Sequence, residues 1–172
     1  MVIAEDTLIK VISQQTELIF YNMQISMKTC DRNYLICGVP AWRYVYHTLH
    51  SCDKWFVNPN EYTEPSIHVE NLDKVDIPCD KVLSDDELWQ YFYEVKNKVM
   101  AYLASLTDSQ LYEKPKNCDF TVLELILGQY RHFMCHIGIL NGTTIAKIDK
   151  YPMVLGLDAW KENKLDGKLF DE

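Results

Sequence analysis

Four of the five histidines in this 172-residue chain fall in two pairs, His47/His50 and His132/His136. Imidazole is the commonest protein ligand for transition metals, so the pairs are where chemistry would begin. Four residues separate His132 from His136, which puts both rings on one helix face, about a turn apart. Two imidazoles so placed can share one cation. Phe133, Met134, Ile137 and Leu140 make the setting apolar, and buried imidazoles need a metal or hydrogen-bond partners to offset their desolvation. The HxxxH spacing alone is a weak signal, since core and surface histidines also produce it. A third histidine from the other pair gives three ligands and an open position, the arrangement of catalytic rather than structural zinc. On a helical wheel Trp42, Val45, Leu49 and Phe56 mark an apolar face, and His50 lies nearer its edge than His47. Periodicity therefore slightly favours His50 as that ligand.

Other residues near the pairs have plainer readings. Cys135 is turned about 100° from His136 and reads as a packed thiol rather than a ligand. His68, beside Glu70 in a proline-containing stretch, reads as a solvated loop residue. Trp89, Tyr91, Phe92 and Tyr93 recur at helical spacing and read as core. His50, Asp53, Gln129 and Glu124 are the candidates to orient a ligand or handle protons, because ligating histidines usually give their second N–H to a carboxylate or carbonyl. No catalytic residue is singled out. Asp73, Asp76, Asp85, Asp86 and Glu87 read as surface and helix-start charge.

The elements that must hold these residues are helical. Apolar positions at three- and four-residue steps predict a first helix over 4–28, and Pro40 can open a second that ends near Phe56. A long connection over 57–83, with Pro59, Pro65 and Pro78, lacks helical spacing and is of the kind that borders functional sites. Ser84 and Glu87 form a capping box for a third helix to about Ser105, and Thr121 and Glu124 another for a fourth. The fourth is expected to stop at Asn141-Gly142, after Leu140. No stretch has convincing strand periodicity and no repeat is visible. An all-α four-helix bundle, one domain over 1–172, is the economical reading, and such bundles place metal sites between facing helices.

Composition narrows the partners. Seventeen Lys+Arg against 25 Asp+Glu give a net charge of −8, the wrong sign for nucleic acid or an anionic membrane. Residues 122–140 are interrupted by Glu124, Gln129, Arg131 and two histidines, so they read as a core helix rather than a membrane span. Six cysteines without a CxxC pair or a secretory signal read as reduced thiols, mostly small hydrophobes, and the expected location is the cytoplasm.

Two segments carry a family resemblance: Trp42 to Phe56, with His47 two turns before Trp55, and Gln129 to Leu140, where His132-x-x-x-His136 is followed by Gly138 and Leu140. They resemble the DinB/YfiT-like superfamily, as does the turn from Leu106 to Leu111. The resemblance implies an up-down-up-down four-helix bundle with a long loop between helices two and three. It implies a divalent metal, zinc or nickel foremost with iron or manganese as alternatives, bound by His47, His132 and His136. It further implies a thiol S-transferase or hydrolase acting on a small molecule, with a low-molecular-weight thiol as cosubstrate, in a homodimer. Ile137 and Ile139 stand where many members carry polar residues. The competing expectation is a non-enzymatic, stress-associated or partner-binding bundle with no metal or a structural one.

Overall fold

Helix starts in this chain are written into short polar motifs. In the computed structural model, which describes residues 7–157 and 167–171, the helices are α1 (Thr7–Thr29), α2 (Ala41–Trp55), α3 (Asp85–Ala104) and α4 (Val122–Ile148). Both capping boxes form: the Ser84 and Thr121 side chains accept from the backbone of Glu87 and Glu124, whose carboxylates accept in return from the cap N–H groups. Pro40 supplies the extended residue before α2. Residues 4–6, expected to begin α1, lie outside the described residues. The start of α1 at Thr7 is held from a distance by the Asp108 carboxylate, which accepts the N–H groups of Thr7, Leu8 and Ile9 at 3.1, 3.1 and 2.8 Å.

Two expectations about local structure are corrected. Helix α4 runs through Asn141-Gly142 for another two turns and ends at Asp149, which adopts the left-handed cap conformation at φ 53°. Asn141 does not end the helix because its side chain is buried and accepts a 2.7 Å hydrogen bond from Ser26 Oγ on α1. A small hairpin also stands where no strand was expected, β1 (Leu35–Ile36) paired antiparallel with β2 (Val39–Pro40). Its two-residue turn, Cys37-Gly38, has positive φ at both positions (51° and 83°), which glycine permits at the second and the tight hairpin geometry requires at both.

The main helix contacts are of α1 with α3 and α4, and of α2 with α3 and α4. Phe20, Phe92 and Phe133 meet edge-on at the centre, with ring centroids 5.8 and 5.4 Å apart. Cross-helix bonds fix the directions. Tyr130 Oη donates to the Ile12 carbonyl and Asn141 pairs with Ser26, so α1 and α4 run the same way. His47 meets His132 while Ser51 meets Gln129, so α2 opposes α4. Tyr46 packs on Tyr91 and Asp53 pairs with Lys98, so α2 and α3 are parallel. The order is therefore up-down-down-up, which corrects the expected up-down-up-down. The cause is the connection over 57–83, which returns the chain along the bundle: α3 starts where α2 starts, with Asp85 paired to Arg32 from the loop preceding α2.

Among the described residues, no helix is long and apolar enough to cross a membrane. All six cysteines are free thiols. Cys52 and Cys118 are buried as expected, but Cys135 is exposed rather than packed.

Candidate functional site

The antiparallel register of α2 and α4 brings His47 against His132 and His136. Buried Phe133 and Ile137 hold α4 to the core beside the two histidines, whose own rings stay half-buried. His47 is oriented by the long connection: its Nδ1 lies 2.5 Å from the Asp73 carbonyl oxygen. A carbonyl only accepts, so Nδ1 carries the hydrogen and Nε2 presents a lone pair. That Nε2 lies 3.0 Å from His132 Nε2, which in turn lies 3.1 Å from His136 Nε2. The three rings stand edge to face at 61–74°, with centroids 4.6–4.9 Å apart.

This geometry overfills what hydrogen bonds can use. A neutral imidazole nitrogen has one in-plane position, filled by either a proton or a lone pair. His132 Nε2 can therefore complete one of its two contacts but not both. A cation between the three nitrogens completes all of them, and ligand atoms around tetrahedral zinc at 2.0–2.1 Å are about 3.4 Å apart, close to the separations here. Burial, reinforced by the neighbouring rings, pushes His132 and His136 down to about 4, so both are neutral at pH 7 and ready to ligate. Their buried Nδ1 atoms have no hydrogen-bond partner. On the donor set and its spacing, the three histidines could hold a metal ion.

The wheel slightly favoured His50 over His47, and the structure places the two the other way round. His47 turns to the α4 pair, whereas buried His50 points to Glu64, with Nε2 2.5 Å from its Oε2. The other proposed orienting groups are engaged elsewhere. Asp53 accepts from Tyr91 Oη at 3.0 Å and Lys98 Nζ at 2.5 Å, Gln129 Oε1 accepts from Ser51 at 3.3 Å, and Glu124 caps α4. Tyr91 and Phe92 are core, as expected, while Tyr93 is half-exposed.

Two contributors escaped the sequence reading. Asp73, read as surface charge, acts through its backbone carbonyl. Arg43, one turn before His47 and only 5% exposed, holds that stretch of loop. Its Nε donates to the Leu72 carbonyl at 3.2 Å, and the two N–H groups of Nη2 are shared among those of Asn71, Lys74 and Ile77 at 2.5–2.6 Å. The guanidinium fork and His47 are i, i+4 on α2, so one helix face both fixes the loop and receives its carbonyl. An arginine amid apolar helix positions was the available signal. His68 is also misread as solvated: it stacks on His50 with centroids 4.8 Å apart, and its Nδ1 lies 2.8 Å from Tyr46 Oη.

A cleft of about 360 Å³ runs beside the N-terminal half of α4, lined by Trp55, Phe120, Leu127, Gly128 and Arg131 among others, but by none of the three histidines. Comparison with family models, with curated proteins and with solved structures returned no match.

Proposed function

We propose that the chain is a divalent-metal-dependent enzyme, a thiol S-transferase or a hydrolase acting on a small molecule, built on a DinB/YfiT-like bundle. The observation that carries the reading is the convergence of three Nε2 atoms at 3.0 and 3.1 Å around a position that hydrogen bonds cannot fill. His47, His132 and His136 would hold the ion, leaving one coordination position open, as in catalytic zinc sites. Bound there, a divalent ion supplies Lewis-acid activation of a water for hydrolysis or of a thiol for transfer.

The chain's own groups prepare that position. The Asp73 carbonyl keeps the His47 proton on Nδ1, and Arg43 keeps Asp73 in place. Half-burial of the three rings leaves an approach from solvent while the core behind them lowers the local dielectric. Tyr44, its ring 6.0 Å from that of His136 and its hydroxyl donated to the Ile36 carbonyl, walls one side. A low-molecular-weight thiol as cosubstrate, a homodimer and a cytoplasmic location complete the proposal.

Tag-free protein loaded with zinc or nickel, incubated with low-molecular-weight thiols plus an electrophile and, separately, with activated esters, tests the reading. Turnover in one arm, lost in His136→Ala, is the expected result. Equal rates in both proteins, or none in either arm, would overturn it.

A further inference from the structure

We infer that the chain carries a second divalent-cation site, formed by His50, Glu64 and His68, next to the first along the same stretch of α2. His50 comes from the helix, and Glu64 and His68 from the long connection. One donor atom from each lies within 4.8 Å of the other two. Glu64 Oε2 is the centre of the group, 2.5 Å from His50 Nε2 and 3.8 Å from His68 Nδ1. Two imidazoles and a carboxylate are the ligand set of a known class of catalytic zinc site, and they mix borderline nitrogen and hard oxygen donors. Ligand atoms around a zinc-sized ion are about 3.4 Å apart, so the 3.8 Å pair is already near its place and the 2.5 Å pair must open by about 1 Å.

The surroundings suit a cation better than a bare pair. Both rings are largely shielded, with His50 and His68 side chains 5% and 15% exposed, while Glu64 is 45% exposed and leaves an entry path. A single His50–Glu64 hydrogen bond would account for one imidazole. The second ring is stacked parallel to the first at 4.8 Å and 21°, faces the same oxygen, and has the Tyr46 hydroxyl as its own hydrogen-bond partner. An ion at His68 Nδ1 would take the place of the hydrogen bond that this nitrogen makes with the buried Tyr46 hydroxyl at 2.8 Å. A carboxylate between two imidazoles brings charge as well as lone pairs to the position.

The site is tested with the metal alone. Apo-protein is titrated with Co2+ or Zn2+, and bound equivalents are counted for the parent, Glu64→Gln, His68→Ala and His132→Ala. The two loop variants leave the buried helix residue intact, and thermal melts confirm that each variant is folded. Two equivalents are expected in the parent. Glu64→Gln and His68→Ala should each weaken one of them by about 100-fold or more, beyond the 10- to 100-fold typical of groups that only orient a ligand, and His132→Ala should remove the other. A parent that binds one equivalent, lost in His132→Ala and untouched by the loop variants, overturns the second site and leaves the proposed function standing. One equivalent lost in the loop variants but retained in His132→Ala supports the second site and overturns the first. No binding in the parent overturns both.

Discussion

His47 and His50 are three residues apart on one helix, yet the clusters they enter are built on different principles. The His47 cluster is closed by two long helices in fixed register, and the loop contributes only a backbone carbonyl. The His50 cluster takes two of its three side chains from the loop itself. The first is all nitrogen, with the His132 and His136 rings held neutral by burial; the second contains a carboxylate. Helix-borne ligands keep their spacing whether or not an ion is bound, whereas loop-borne ligands can move to meet one. All-imidazole sites suit zinc, nickel and iron, and a carboxylate widens the choice towards manganese.

The largest effect should come from His132→Ala. It removes a ligand outright, so the affinity of the His47 site for zinc should fall by more than the 10- to 100-fold associated with orienting groups, while binding that depends on Glu64 persists. Competitive loading with zinc and manganese, read by metal analysis of the parent and Glu64→Gln, sharpens the contrast: bound manganese should drop in Glu64→Gln and zinc at the His47 site should not.

Arg43→Ala comes next, because it bears on the loop that serves both clusters. Leaving the buried Leu72 carbonyl and three partly buried ones without a donor should lower stability by about 3 kcal/mol in a denaturant titration, and zinc affinity should fall 10- to 100-fold through loss of His47 orientation. Arg43→Lys keeps the charge without the fork and should recover only part of either.

Ser26→Ala is a control at the contact of α1 with α4, outside both clusters. It strips the buried Asn141 side chain of its 2.7 Å partner and should lower stability by about 1–2 kcal/mol. Metal binding at both clusters should not change. If it did, the clusters would not be the local constructions described here.

The smallest effect is pH-dependent. Three backbone N–H groups at the start of α1, that of Ile9 foremost, hold the Asp108 carboxyl below its ordinary value. A carboxyl with a lowered folded-state pKa contributes stability above its unfolded value near 3.9, and loses it as pH falls through the folded value. Melting temperatures of the parent and Asp108→Ala should therefore differ at pH 7 and converge as the pH is lowered towards 3.

The sequence shows the helix-built cluster more clearly than the loop-built one, for a physical reason. His132 and His136 announce themselves because helical spacing is local, and Ser84 and Thr121 announce their helices because a capping box closes within four residues. The choice of His47 over His50 was not legible from periodicity. The wheel measures burial, and His50 is indeed the more buried, but its burial serves Glu64. Glu64, His68 and the Asp73 carbonyl depend on the path of the 57–83 connection, which no spacing rule encodes. The same path reverses α3 relative to the expected order. Asn141-Gly142 misled because a stop signal yields when tertiary hydrogen bonding satisfies the asparagine.

The central claim is that three imidazole nitrogens share one divalent ion, and an X-ray absorption spectrum of Glu64→Gln loaded with one equivalent of zinc tests it most directly, with the second cluster disabled. Multiple-scattering features from three imidazoles at about 2.0–2.1 Å, reduced to two in Glu64→Gln/His132→Ala, are the predicted result. A spectrum with no imidazole scattering, or one unchanged when His132 is replaced, would contradict it.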